Sequence, residues 1–303
     1  MASYETVIIG SGIAGATAAI YAARKKMNYA IIADKFGGQF LESNEIQNYP
    51  GVISTSGAQF ASILQDQLKF TNVNVHDGVK AENIEKKENH FIIKTNKGDY
   101  ETKTIIIATG ARARELNVSG EEKFKHKGVT YCAICDGPLF KGKTVAVIGG
   151  GNSALESVEF LVNIVEKIYV INLTAHLTGF EYLIERAKSH KNVEIINNAK
   201  TVEIFGNNFV EGLKYEQSEQ LKELKVQGIF VDIGRAPNTE FVKGFLELDA
   251  DGHIIIDCPT STKIPGIFAA GDCSSVHEYQ YVIAAGQGCT ALLKAAKYLA
   301  YKK

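Results

Sequence analysis

Tyr4-Glu5-Thr6-Val7-Ile8-Ile9-Gly10-Ser11-Gly12-Ile13-Ala14-Gly15 decides how this chain is read. The apolar, β-branched run up to Ile9 is a buried strand by type. Gly10, Gly12 and Gly15 follow at the spacing G-x-G-x-x-G, and Ala16 to Lys25 is Ala-rich and helix-forming. In that context each glycine has a task. The first makes the tight turn, the second lets backbone approach a pyrophosphate, and the third lets the helix pack on the strand with its first amides facing phosphates. A second strand, Tyr29 to Ala33, ends at Asp34, 19 residues beyond Gly15, where an acid would receive ribose hydroxyls. Thr6 to Ala23 is also a run of 18 uncharged residues, which raises the membrane question. The fixed glycine spacing answers it in favour of strand, turn and helix, and no membrane partner is expected.

The theme returns 139 residues later. Thr144 to Ile148 is a strand, Gly149-Gly150-Gly151-Asn152-Ser153-Ala154 gives G-x-G-x-x-A, and Leu155 to Val165 is helix-forming. The fold class is therefore α/β, with two Rossmann-like dinucleotide-binding domains. The next strand, Lys167 to Ile171, ends at Asn172. There an NAD enzyme carries an acid and an NADP enzyme a basic cluster. Asn172 to Leu183 has no Lys or Arg, and its only acid is Glu181.

Between the two units lies Tyr131-Cys132-Ala133-Ile134-Cys135-Asp136-Gly137-Pro138. In a Cys-x-x-Cys the attacking thiol has its pKa lowered to roughly 3.5–7.5, so it is nucleophilic at neutral pH. Asp136 is placed to trade a proton with a departing thiolate. The same spacing is half of a zinc site. Zinc needs a second pair of Cys or His, and Cys258, Cys273 and Cys289 stand singly and far off. A redox pair is the preferred reading over zinc and over a structural disulfide, and no metal is expected.

The 303 residues hold two domains of ordinary size; 45% apolar and 22% charged content are those of a soluble globular protein. A net charge of −1 gives no reason to expect nucleic acid. Five cysteines without a framework pattern, and no signal peptide, point to a cytoplasmic protein. A turn-rich loop runs through Gly37-Gly38-Gln39 and Asn44 to Gly51, before a helix near Gly57 to Phe70. Strands are expected around Val73–Val75, Phe91–Lys94, Thr104–Ala108, Val193–Ile196 and Gly228–Ile233. A last helix is expected from about Cys289 to Tyr301.

Taken together these residues resemble the low-molecular-weight thioredoxin reductases, over the whole chain. The carriers are Gly10 to Gly15, Gly37-Gly38-Gln39, Asn48-Tyr49-Pro50-Gly51, Ala108-Thr109-Gly110, Cys132 to Gly137, Gly149 to Ala154 and Ala270-Gly271-Asp272. The resemblance implies an FAD domain formed by residues 1–115 and 246–303. The redox-disulfide domain, 116–245, is inserted into it. It implies a homodimer that reduces thioredoxin. It makes Cys135 the thiol facing the flavin, Cys132 the attacking thiol and Asp136 the general acid. It places FAD contacts on Gly10, Gly12, Ala14, Gly15, Asp34, Gly38, Gln39, Asn48, Thr109, Gly110 and Gly271. Asp272 would meet the ribityl chain, and Gln280 would lie beside the isoalloxazine.

NADPH-dependent members carry His-Arg-Arg and a further Arg where this chain has Asn172-Leu173-Thr174-Ala175-His176-Leu177-Thr178. Each charge-assisted hydrogen bond is worth about 1.5–3 kcal/mol. Losing two costs about 3–6 kcal/mol, roughly 10²–10⁴-fold in affinity. The sequence thus resembles the members that take electrons from ferredoxin. Basic stretches at Arg24-Lys25-Lys26, Lys123 to Lys127 and Lys302-Lys303 suit an acidic donor, though lysine runs are usually solvated surface. The alternatives are an NADPH-dependent reductase with an atypical phosphate site, and a flavin-binding redox sensor that has lost its donor site.

Overall fold

A computed structural model describes residues 3–43, 46–257 and 259–301. Asn44, Glu45, Cys258 and the Lys302-Lys303 pair lie outside the described residues. The chain divides into two compact units, one of Met1–Arg112 with Ala236–Lys303, the other of Ala113–Arg235. Both are Rossmann-like, and the fold class is the one expected.

In the first unit the strand Ser3–Ile9 is flanked in parallel by Tyr29–Ala33 and Tyr100–Ile107, with Ile9 opposite both Ile32 and Ile107. Val75–Asp77 extends one side, and Ile267–Ala269 joins Tyr100–Ile107 in parallel. Strands covered on both faces read as unbroken Val/Ile runs, and Val7, Ile8, Ile105, Ile106 and Ile107 are fully buried. The helix Ile13–Arg24 is buried on nearly every side. It lies against the long helix Tyr281–Tyr301. A Cβ on Gly288 would stand 2.0 Å from the Ala14 carbonyl oxygen, so bare backbone sets how closely these helices pack. The helix Gly57–Phe70 opens on a capping box between Ser56 and Gln59.

That long helix begins eight residues before the expected Cys289. Gly286 and Gly288 lie inside the helix, and at Gly288 the contact with Ala14 explains why a glycine is needed. The strand expected at Val73–Val75 lies at Val75–Asp77. The antiparallel hairpin Ala81–Lys86 and Phe91–Thr95 completes the sheet.

The second unit has a five-stranded parallel sheet in the order Val193–Ile196, Lys167–Ile171, Thr144–Ile148, Gly228–Val231, Val129–Thr130. Val145, Val147, Leu155, Val158, Ile168 and Phe230 form its core, with the helix Asn152–Leu161 on one face. A separate antiparallel sheet of Lys200–Gly206, Val210–Gln217 and Gln220–Lys225 was not visible in the sequence. Its strands mix charged and apolar residues irregularly, and Gln220–Lys225 is exposed along nearly its whole length, so neither apolar runs nor strict alternation mark them.

Candidate active site

The first unit contains a cavity of about 840 Å³ at the carboxyl ends of its parallel strands. Gly10, Gly12 and Ala14 line it from the first turn. Asp34 does so from the end of the second strand, and Gly38 and Gln39 from the following loop. Thr109, Gly110, Gly271 and Asp272 close the far side. Thus ten of the residues expected to contact FAD converge on one space.

Gly15 does not line it. A Cβ there would lie 1.9 Å from the Gly10 carbonyl oxygen, so this glycine lets the helix lie on the strand. Asn48 and Gln280 also stand off the cavity, joined to each other by Asn48 Nδ2 donating to Gln280 Oε1 at 3.3 Å.

The backbone here is shaped for phosphate. Gly10 has φ +108°, and a Cβ on it would meet the Ala108 oxygen at 2.2 Å. A Cβ on Gly12 would come within 3.3 Å of the Gly37 oxygen, so the two glycine turns face each other closely. No side chain caps the helix Ile13–Arg24 and no acid stands in its first turn, which leaves its first amides free for an anion. With Asp34 at ribose distance in sequence, these residues fit FAD. They would hold its pyrophosphate on the Gly10–Gly15 turn, and the group would supply two-electron redox chemistry there.

Sequence reading missed Asn238. Its Nδ2 donates to the Thr109 carbonyl at 2.9 Å, its carbonyl accepts from Thr109 Oγ1 at 2.8 Å, and Arg112 Nη1 donates to its Oδ1 at 2.7 Å. Arg112 also holds Glu240 at 2.7 Å. The only sequence signal was the turn Arg235-Ala236-Pro237-Asn238. Gln287 was also missed, and its Oε1 accepts from the Gly271 amide at 2.6 Å.

In the second unit Cys132 and Cys135 form a disulfide, their Cα atoms 5.3 Å apart. Cys132 is the N-cap of the one-turn helix Ala133–Asp136, and its Sγ accepts from the Cys135 amide at 3.2 Å. The buried Asp136 carboxylate accepts from Thr130 Oγ1, and Thr130 Oγ1 in turn accepts from the Cys132 amide at 3.3 Å. Asp136 is thereby tied to the backbone of the pair it would serve. Ile134 and Leu139, both more than half exposed, flank the disulfide.

Tyr131 packs by the motif, with its hydroxyl donating to the buried Glu121 at 2.9 Å; burial and that carboxylate push its pKa well up, so it stays a neutral phenol. Glu121, which in sequence is only the start of a charged linker, also accepts the Leu116 and Asn117 amides. Cys273 is fully buried and Cys289 half-buried, as expected of ordinary cysteines.

The second glycine turn keeps its form. Gly149 has φ +139°, and a Cβ on it would lie 2.2 Å from the Asp232 oxygen. The selectivity loop after Ile171 folds onto this turn. The Thr178 amide donates to the Gly150 oxygen at 2.7 Å, and the Phe180 amide to Asn152 Oδ1 at 2.7 Å. Asn172 is buried, its Nδ2 donating to the Thr174 oxygen at 2.9 Å and Asn197 Oδ1 at 2.8 Å. His176 is exposed, and Arg186 is paired with Glu159 rather than turned back to the loop.

The family described as pyridine nucleotide-disulphide oxidoreductase matches residues 4–288. A protein named NADH dehydrogenase, from Bacillus subtilis, is 42% identical over 298 residues, which are 98% of this chain and 58% of that protein. The chain thus spans about three-fifths of the length of the curated relatives it matches. Thioredoxin reductase from Streptococcus pyogenes is similar in structure, with a TM-score of 0.88, 37% identity and 99% of each chain covered. A ferredoxin-flavin thioredoxin reductase from Clostridium acetobutylicum superimposes at a TM-score of 0.55, with 31% identity and 99% of each chain covered. Among the described residues no helix is long and apolar enough to cross a membrane.

Proposed function

Because this chain belongs to the pyridine nucleotide-disulphide oxidoreductase family, we propose that it reduces the disulfide of thioredoxin with electrons from reduced ferredoxin. The chain is a thioredoxin reductase-like flavoprotein with FAD as cofactor and Cys132–Cys135 as its disulfide. Two electrons open that disulfide. Cys132 then attacks one sulfur of the substrate disulfide, forming a mixed disulfide. The displaced substrate thiolate takes a proton from Asp136, which Asp136 has drawn from water as the pair is reduced. Cys135 next attacks Cys132 Sγ, the second substrate sulfur leaves as thiolate, and the Cys132–Cys135 disulfide is restored. The Cys135 amide on Cys132 Sγ supports the thiolate, and the exposed Ile134 and Leu139 offer apolar contact to a protein acceptor. The reading takes the pair as acting in one cytoplasmic homodimer.

The donor rests on a single observation. The loop Leu173–Phe180 carries no Lys or Arg for a 2′-phosphate, and its Thr178 and Phe180 amides tie it to the Gly150 oxygen and the Asn152 side chain. Energetics allow ferredoxin: from roughly −400 mV to roughly −270 mV is about 6 kcal/mol downhill for two electrons. NADH is the second reading, favoured by the name of the Bacillus subtilis relative and by the preserved Gly149 turn. Anaerobic mixing of the FAD-loaded protein with NADPH, NADH and reduced ferredoxin in parallel decides. Rapid bleaching by ferredoxin alone is expected. Bleaching by micromolar NADPH or NADH would overturn the assignment.

A further inference from the structure

The turn Asp249-Ala250-Asp251-Gly252-His253 is built by its own side chain. Asp249 Oδ1 accepts the amides of Asp251 at 3.0 Å and His253 at 2.9 Å, and Gly252 supplies the φ of +92° that closes the loop. Beyond it, the Ile254 amide donates to the Cys273 oxygen at 2.8 Å and the Ser275 amide to the Ile254 oxygen at 2.9 Å. This pairing draws the segment after Cys273 alongside, and brings His277 against His253 with ring centroids 4.7 Å apart.

Three donor groups meet there. His253 is 1% exposed, and its Nε2 is engaged with the Tyr279 hydroxyl at 2.8 Å. With the proton on Nε2, the Nδ1 lone pair points into the cluster, and Nδ1 is buried without a hydrogen-bond partner. Asp249 Oδ2 is likewise buried without a hydrogen-bond partner, because Oδ1 takes both amides. His277 Nε2 lies 3.3 Å from Asp249 Oδ2, and His253 Nδ1 lies 3.4 Å from Asp249 Oδ1. All three ligand atoms fall within 4.8 Å of one another. A tetrahedral zinc with bonds of about 2.0–2.1 Å separates its ligand atoms by about 3.3–3.5 Å.

We propose that Asp249, His253 and His277 bind a Zn²⁺-class divalent ion, with water in the fourth position. One carboxylate with two imidazoles suits such an ion rather than Mg²⁺ or Ca²⁺, which demand oxygen ligands. Tyr279 on the far ring nitrogen of His253 is the outer partner, its hydroxyl accepting from Nε2 in the tautomer whose Nδ1 ligates. His277, half exposed, gives the ion a way in. The site is structural. It fastens the segment between Asp272, on the cavity wall, and Gln280, which holds Asn48.

The test uses the FAD-loaded chain with the Cys132–Cys135 disulfide intact, so that those thiols do not bind metal. After chelator treatment and dialysis, Zn²⁺ is titrated in competition with a chromophoric chelator. One Zn²⁺ per chain at micromolar Kd or tighter is expected, with a rise in the thermal midpoint on addition. His277→Ala, at an exposed position, should weaken binding 10–100-fold and abolish the thermal rise. Asp249→Asn, which keeps the Oδ1 acceptor for the two amides, should do the same. Absence of saturable binding to the unmodified chain, or equal binding by both variants, overturns the proposal.

Discussion

Asp232 follows the strand Gly228–Val231 and abuts the second glycine turn, and its carboxyl should make the stability of this protein depend on pH. Burial pushes its pKa from 3.8 up to about 7, outweighing a hydrogen bond from Ser157 and the charge of Arg235; Glu156 adds to the rise. Its Oδ2 is buried without a hydrogen-bond partner. The fold therefore favours the neutral acid. Stability is untouched well below the unfolded pKa, falls as pH climbs from near 4 to 7, and is level above. Linkage makes the penalty slight near pH 4 and at most about 4 kcal/mol at pH 8. Asp232→Asn keeps the shape and removes the charge. Thermal midpoints of the two proteins should coincide near pH 4 and separate by several degrees at pH 8, the variant being the more stable. An offset that is the same at both pH values, or a variant less stable at pH 8, would refute the reasoning.

Other substitutions probe the pair and the packing. Cys135→Ser should trap thioredoxin as a mixed disulfide through Cys132, resolvable on a non-reducing gel, while Cys132→Ser should trap none; the reverse outcome would exchange the two roles. Asp136→Asn should lower thioredoxin turnover by about 10²–10⁴-fold, measured with chemically reduced enzyme, while the disulfide still forms; unchanged turnover would remove Asp136 as the acid. Gly288→Ala places a methyl group 2.0 Å from the Ala14 oxygen and should cost about 1–3 kcal/mol, seen as a lower thermal midpoint and weaker FAD retention. A midpoint equal to that of the unmodified chain would mean that the two helices can part freely.

What could be read in advance divides along physical lines. Gly10 and Gly149 are written into the sequence because no other residue tolerates a φ above +100° with a carbonyl 2.2 Å from where Cβ would sit. Cys132, Cys135 and Asp136 are adjacent in the chain, so their chemistry needs no fold to assemble it. Gly288 obeys the same steric rule as Gly10 yet carries no such signal, since a glycine needed for close helix contact and a glycine that breaks a helix look alike until the partner helix is known. Asn238 and Gln287 brace the FAD cavity through partners 129 and 16 residues away, and single polar residues carry no periodic signal.

The loop after Ile171 shows both sides of this division. That it lacks arginines was legible, because absence of charge is a property of composition. That Thr178 and Phe180 bond back to the turn was not, because it depends on where nine residues of irregular chain come to rest. The two facts reinforce each other. The Thr178 and Phe180 amides hold the loop against the Gly150 oxygen and the Asn152 side chain, beside the turn a pyrophosphate would approach, and the loop brings no guanidinium to that place. Regular glycine turns therefore identify a dinucleotide fold, whereas use of the nucleotide is decided by the loop that follows, where sequence periodicity ends.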